Sequence, residues 1–213
     1  MEIPLRTTSG LYGGNVEGWK RIIRMWNSLE FGESPAPKTS CVSIGTRIGQ
    51  VAAGLKSLEQ RLGMKLPKSY GDFMQASAGC EPIGFKNGEV FVLPDTVGPL
   101  KDIAPAQYEI WKKAYSEGND EGYYRYPSEL SSFRVAYLDY ALVIAISENG
   151  NGILLLNPKE LTPDGEWEAW ELHPANPGIV RHPTFAHMML DAWRENAKEA
   201  FVRALAIKRP PAR

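Results

Sequence analysis

The chain has 213 residues, of which 43% are apolar, and its 24 Lys and Arg nearly balance its 25 Asp and Glu. This length can bury one substantial core, so a single domain suffices. The formal net charge of −1 excludes the strongly basic composition of general nucleic-acid binders. No apolar run reaches the roughly 20 residues of a membrane span, and the start lacks the pattern of a secretory signal. We therefore expect a cytoplasmic protein, with Cys41 and Cys80 as reduced thiols.

The first third of the chain is predicted to be helical. Residues 1–14 are rich in Gly, Ser and Thr and are expected to be flexible. Apolar residues at helical spacing then predict one helix from Val16 to Leu29 and a second from Ile44 to Leu62. Gly63 suits a helix C-cap and Pro67 suits the first turn of a following helix, so a tight corner and a short third helix are expected.

The middle of the chain combines strands with a long insertion. Val90 to Leu93 reads as a short strand, and so does Phe133 to Leu138. The insertion covers about residues 94–130, with a helix that begins near Pro105. Aromatic residues beside acids in this insertion predict a contact surface, although the same aromatics could equally anchor the loop on the domain.

A hairpin is predicted at the centre of the sheet. Two short runs rich in Ile, Val and Leu, Leu142–Ile146 and Ile153–Leu156, flank a connection that carries Asn-Gly twice. Asn and Gly tolerate the positive φ angles that tight hairpins require. Pro158 is expected to end the pairing of the second strand.

The last strand, from Glu166 to Leu172, alternates strictly in its side chains. Trp167, Ala169 and Glu171 share one face, and neither face is purely apolar, so we expect one side of this strand to lie at a groove or an edge. A Pro-rich loop from His173 to Pro183 then leads to a closing helix. Its apolar residues between Phe185 and Leu205 are spaced so that they form a stripe along one side of the helix. Residues 208–213 form a basic tail.

Charge is unevenly distributed along the chain. Residues 111–170 carry ten acidic and five basic side chains, a formal charge of −5, whereas residues 171–213 carry +3. An acidic middle favours a basic partner by electrostatic steering. A solvated sheet face would explain the same composition.

No recognised catalytic pattern is present in the sequence. It has no Gly-x-Ser-x-Gly elbow, no phosphate-binding loop and no dinucleotide fingerprint. His182 and His187 are five residues apart, which is poor spacing for a zinc pair on one helix face. Glu166 and Glu168 share a strand face and could act as an acid–base pair, but carboxylates on a strand are usually only solvated. We expect no catalysis, no metal and no cofactor.

Taken together, four pieces of the chain resemble the SUKH superfamily, the SMI/KNR-type domain. They are an early Trp-bearing helix, a Leu-Pro-Lys-Ser-Tyr block at 66–70, a sheet with a Gly-rich hairpin and a Trp-Glu-Ala-Trp strand, and a closing helix that begins Pro183-Thr184-Phe185. The resemblance implies a single α+β domain, here residues 15–207, with a mainly antiparallel sheet packed against several helices. It also implies a protein-binding role without a catalytic constellation.

The resemblance further implies an immunity protein that neutralises a cognate bacterial toxin by direct binding, with a basic toxin domain such as a nuclease as the partner. A regulatory module for endogenous protein partners is the alternative, and a hydrolase of unrecognised type is the third. Both a monomer and a homodimer remain open. The predicted partner-binding residues are acids and aromatics of the acidic middle together with one asparagine: Tyr123, Tyr124, Asp139, Glu148, Asn149, Glu166, Trp167, Glu168 and Trp170.

Overall fold

A computed structural model describes residues 12–27, 44–77, 89–116, 123–124, 134–147, 152–173 and 178–207. Six helices occur in these ranges: α1 (Val16–Asn27), α2 (Ile44–Leu62), α3 (Lys68–Ser77), α4 (Leu100–Ile103), α5 (Pro105–Ser116) and α6 (Phe185–Ile207). Seven strands accompany them: β1 (Glu89–Phe91), β2 (Gly98–Pro99), β3 (Tyr123–Tyr124), β4 (Leu142–Ser147), β5 (Ile153–Leu161), β6 (Trp167–His173) and β7 (Gly178–His182). A 3₁₀ helix covers Val135–Asp139.

The strands form one mainly antiparallel sheet, as the sequence predicts. Its order is β1-β4-β5-β6-β7-β3, and β2 pairs with the same strand as β1, namely β4. Among the described pairs only β3 and β7 run parallel. The predicted central hairpin is confirmed, because β4 and β5 pair antiparallel with Leu142 opposite Leu156 and Ile146 opposite Ile153. The sheet therefore places the hairpin and its neighbour β6 at the middle of the fold.

Apolar side chains cover both faces of the sheet, so the described chain packs in three layers. On the first face, α1, α2, α3 and α6 contribute a core that includes Trp19, Trp26, Phe73 and Phe185, each at most 1% exposed. On the second face, α4, α5 and the 3₁₀ helix bury a smaller cluster around Trp170. Strand alternation explains the division, since neighbouring residues of one strand point to opposite faces.

The predicted helices agree closely with the structure. Asn15 begins α1, because its side-chain oxygen accepts a hydrogen bond from the Gly18 N–H at 2.9 Å. Helix α2 ends at the predicted Gly63, whose φ of 68° is the left-handed conformation that glycine tolerates. Helix α3 then starts directly after Pro67. Residues 28 and 29 of the first predicted helix lie outside the described residues.

Three expectations for the sheet are wrong. The strand predicted at 133–138 is a 3₁₀ helix over its described part, Val135–Asp139, because this segment caps the second core rather than joining the ladder. The Pro-rich segment after β6 contains a strand, β7, which pairs with β6. Strand β5 also continues past Pro158: the register shifts after Asn157, and pairing resumes at Leu161, opposite Trp167.

The expectation that β6 borders a groove or an edge is also wrong. This strand pairs with β5 on one side and β7 on the other, and both of its faces are buried. The second face is covered by α4 and α5, which come from the segment that the sequence marks as an insertion. Within the described residues, no helix is long and apolar enough to cross a membrane.

Candidate protein-binding surface

Three of the predicted contact residues lie in the interior of the sheet. Trp167 is 2% exposed, and Glu168 and Trp170 are fully buried. Trp167 belongs to the first core and Trp170 to the second. A partner would reach these side chains only if a covering helix layer moved away. In the folded domain they hold the layers together.

Glu168 is buried because β7 supplies a matching base. The Glu168 carboxylate is 2.6 Å from the guanidinium of Arg181, and it also accepts a hydrogen bond from the Asn157 amide at 3.0 Å. Burial raises the pKa of Glu168 to about 7 and lowers the pKa of Arg181 to about 9, while the close contact between the two charges opposes both shifts. Glu168 therefore stabilises the sheet and cannot serve as a solvated acid.

Glu166 connects the sheet to the Leu-Pro-Lys-Ser-Tyr block. Its Oε1 accepts the backbone N–H of Ser69 at 2.8 Å, and its Oε2 accepts the Ser69 hydroxyl proton. Ser69 lies in the first turn of α3, where backbone N–H groups lack helical partners and a negative charge is favourable. Glu166 thus stabilises a helix terminus, and it does not form a pair with Glu168, which points into the sheet.

Three of the other predicted contact residues lie in the part of the chain that the structure describes: Tyr123, Tyr124 and Asp139. Tyr123 and Tyr124 lie at the opposite edge of the sheet from β1, where their backbone pairs with β7. Glu148 and Asn149 lie outside the described residues, just after β4, whereas Asp139 lies before that strand.

The most prominent exposed aromatic group lies on the 3₁₀ helix beside Asp139. Arg134, Tyr137 and Tyr140 are spaced three residues apart: Tyr137 lies within the 3₁₀ helix, and Arg134 and Tyr140 are the residues that directly precede and follow it. We call these three residues the tyrosine ridge. The Arg134 guanidinium lies 5.9 Å from the centre of the Tyr137 ring. Tyr140 is 49% exposed, while Leu138 of the same turn is fully buried in the second core.

Strand β5 supplies the second side of this surface. Lys159 places its ammonium 3.9 Å from the centre of the Tyr140 ring. Glu160 accepts a hydrogen bond from the Tyr137 hydroxyl at 2.8 Å. Leu161 follows on the same strand and is 55% exposed. The surface made of the ridge and these three β5 residues contains two exposed apolar side chains, Tyr140 and Leu161, and charged groups that lie against the two tyrosines.

Asp139 borders the ridge and is held by the insertion helix. Its Oδ1 accepts the hydroxyl proton of Tyr108 on α5 and lies 3.3 Å from the Lys112 ammonium. The hydrogen bond from Tyr108, together with Lys112, holds the pKa of Asp139 below its ordinary value. The hydrogen bonds that Lys112 donates to the Tyr108 hydroxyl and to Asp139 raise the pKa of Lys112. Asp139 is thus a fixed carboxylate at the margin of the surface.

Sequence reasoning missed the ridge because it predicted a strand there. Within the predicted strand, 133–138, Arg134 and Tyr137 are three residues apart and would point to opposite faces, and Tyr140 lies beyond the end of that strand. The sequence signal that could have indicated the ridge is the spacing of Arg134, Tyr137 and Tyr140 at intervals of three residues. Of the predicted contact residues with described side chains, Asp139 is the one that the structure brings to this surface.

The described acidic side chains of residues 111–170 form hydrogen bonds or ion pairs within the chain itself. Five of the ten acids in this range have described side chains, and all five contact groups of the chain itself: Asp139, Glu160, Asp164, Glu166 and Glu168. Two of them, Asp139 and Glu168, lie against a base. Among the described residues, no group of three or more His, Cys, Asp or Glu side chains is arranged to hold a metal ion.

A family model for the SMI1 / KNR4 family (SUKH-1) matches residues 52–191, about two thirds of the chain. The chain belongs to this family. The match runs from α2 through the Leu-Pro-Lys-Ser-Tyr block and the whole sheet to the start of α6, and it confirms the resemblance inferred from the sequence. The early Trp-bearing helix, α1, lies before the matched range. A comparison with curated proteins finds no match.

Membership carries general expectations for this SUKH-1 domain. The family is associated with binding to other proteins and is generally non-catalytic. The fold agrees with the family's α+β architecture. Family membership thus favours a protein as the partner of this domain.

Proposed function

We propose that this SUKH-1 protein is an immunity protein that neutralises a cognate bacterial toxin by stoichiometric binding. The observation that carries the proposal is an exposed aromatic and aliphatic centre on a rigid support, in a domain whose family binds proteins. Tyr140 and Leu161 are each about half exposed, and the turn that bears Tyr140 is fixed by buried Leu138. Surfaces of this kind supply the few residues that dominate binding energy.

The proposed mechanism is obstruction rather than chemistry. Tyr140 and Leu161 would enter an apolar site on the toxin, while the charged groups around them remain at a hydrated rim. Because the ridge is fixed before binding, little conformational entropy is lost on association. The −5 charge of residues 111–170 supports a basic toxin domain, such as a nuclease, whose approach that charge would accelerate.

The other predicted contact residues extend this proposal. Asp139 borders the ridge, and Glu148 and Asn149 follow the far end of β4. Tyr123 and Tyr124 lie at the β3 edge. We propose that a large partner contacts the ridge first and reaches the outer positions through the remainder of its interface, since a standard interface covers about 800 Å² on each partner.

Co-expression with the product of the adjacent open reading frame tests the proposal. The neighbour alone should stop growth, and this protein should restore growth and co-elute with it at a fixed ratio. A Tyr140→Ala, Leu161→Ala variant should lose both effects. Ile110→Ala is the matched control, because Ile110 is also an exposed apolar residue, 65% exposed, but lies on α5. A harmless neighbour that does not co-elute would contradict the proposal.

A regulatory module for endogenous proteins is the second candidate, and the mixed charge of the ridge favours it. Arg134 and Lys159 each lie over a tyrosine ring, so cations as well as carboxylates border this surface. Such a surface does not require a basic partner. Pull-down from cells without a toxin gene separates the two functions, because a regulatory module would capture a partner there through the same Tyr140 and Leu161.

A further inference from the structure

His182 lies fully buried at the place where β7 meets α6, with a carboxylate on each side of its ring. Nε2 is 2.8 Å from Glu171 Oε1 on β6, and Nδ1 is 3.4 Å from Asp191 Oδ2 on α6. Asp191 Oδ1 is in turn 3.3 Å from Nη1 of Arg194, less than one turn further along α6. The cluster therefore joins two strands to the closing helix.

Only the charged form of the His182 ring suits both neighbours. Neutral imidazole has one N–H and one lone pair, so in either tautomer the lone pair would face a carboxylate oxygen of Glu171 or Asp191. The imidazolium presents an N–H to each. Burial opposes this charge, but the contacts with Asp191 and Glu171 outweigh it and raise the pKa of His182 above its ordinary value of 6.5.

We propose that His182, as an imidazolium, stabilises the packing of α6 against the sheet, and that this packing weakens when the ring loses its proton as the pH rises. The titratable and charged groups around it come from two elements. Glu171 and Glu168 belong to β6, and Asp191, His187 and Arg194 belong to α6. This inference concerns the fold alone and does not depend on the toxin partner.

The surroundings of His187, five residues further along the chain, favour the neutral form of its ring. Its backbone N–H donates to Thr184 Oγ1 at 3.2 Å, which leaves the threonine hydroxyl proton free to be donated to His187 Nδ1, 2.8 Å away. A ring nitrogen that accepts a hydrogen bond belongs to a neutral form. Burial, the largest cause, lowers the pKa of His187. His187 is therefore a matched control in the same region.

The two histidines shift stability in opposite directions with pH. His182 has a raised pKa in the folded state, so its contribution is complete below 6.5 and is lost as the pH rises through the folded pKa. His187 has a lowered pKa, so its contribution is present above 6.5 and is lost as the pH falls. A decline in stability above neutrality should therefore be traceable to His182.

The test compares the urea midpoints of the wild type, His182→Gln and His187→Gln at about pH 6 and about pH 9. The wild type and His187→Gln should show a lower midpoint at the higher pH. His182→Gln should show a clearly smaller decline, because only the part caused by Glu168, whose pKa is raised to about 7, remains. An equal decline in His182→Gln would overturn the proposal. Nitrogen-15 NMR of the wild-type imidazoles gives a reading that needs no variant: both His182 ring nitrogens should carry protons at neutral pH, and a neutral ring there would overturn the proposal as well.

Discussion

Glu168 and Arg181 form an ion pair from which solvent is excluded at both side chains. The two residues belong to neighbouring strands at the centre of the sheet, beneath helices α4 and α5. Removing one partner of such a pair leaves an uncompensated buried charge, which is far more costly than losing an exposed pair. An experiment that reverses the charge of Glu168 therefore measures the stability of the fold and not a contact with a partner.

Glu168→Gln should lower the free energy of unfolding by about 3–5 kcal/mol, because Arg181 would remain buried without a counter-charge. Urea denaturation measures this loss. Asp139→Asn is the control, since Asp139 and Lys112 are both partly exposed and such pairs contribute about 1 kcal/mol or less. Equal losses in the two variants would contradict the burial argument. Loss of toxin protection after reversing Glu168 would report unfolding and not a lost contact.

Glu166→Gln should weaken the start of helix α3. The variant keeps the shape of the side chain but loses the charge that faces the Ser69 N–H, so we expect a loss of about 1 kcal/mol. Thermal unfolding measures it. Partner binding should persist, because Glu166 is used within the domain. Loss of a hydrolytic activity in this variant would instead favour the hydrolase hypothesis.

Two tyrosines of the first core should respond differently to removal of the hydroxyl. Tyr70 is fully buried and its hydroxyl has no hydrogen-bond partner in the described chain, so Tyr70→Phe should be neutral or stabilising. Tyr12 donates to Asp72 Oδ2 at 2.6 Å, so Tyr12→Phe should cost about 1 kcal/mol. Parallel urea titrations compare the two variants. A larger loss for Tyr70→Phe would show that its hydroxyl has a partner.

Two helical glycines provide a test of close packing at α1. A Cβ at Gly18 would lie 1.4 Å from the Tyr12 carbonyl oxygen, so Gly18→Ala must displace the segment that carries Tyr12. A Cβ at Gly49 on α2 would meet no atom within 4 Å, so Gly49→Ala should stabilise the protein by about 0.5–1 kcal/mol through helix propensity. Melting temperatures should therefore move in opposite directions, and equal shifts would contradict this packing.

The sequence predicts the helices and the central hairpin well because their signals are local. Each signal is made of residues that are close together in the sequence. These signals are the apolar stripe of α2, the left-handed Gly63 at its end, and the two apolar runs that flank residues 148–152. Strand β7 was missed because its short apolar run lies between prolines and carries Arg181 and His182. Both are buried only because distant residues, Glu168 and Asp191, neutralise them.

The candidate surface was predictable only in part, for a similar reason. Asp139 was identified from its charge and its aromatic surroundings. Trp167, Glu168 and Trp170 were chosen because alternation without an apolar face indicates an edge, but α4 and α5 cover the second face of the sheet. Composition alone does not show that α5, a helix of the long insertion, folds back over β6, which begins about fifty residues after α5 ends.

The most direct test of binding through the tyrosine ridge is the dissociation constant of the complex with the proposed toxin, measured for the wild type, Tyr140→Ala and Ile110→Ala. Truncation of a central aromatic contact typically costs about 2 kcal/mol or more, so Tyr140→Ala should weaken binding by roughly 30-fold. Ile110→Ala should bind as the wild type does. Unchanged affinity in Tyr140→Ala, with the fold intact by circular dichroism, would contradict binding through the tyrosine ridge.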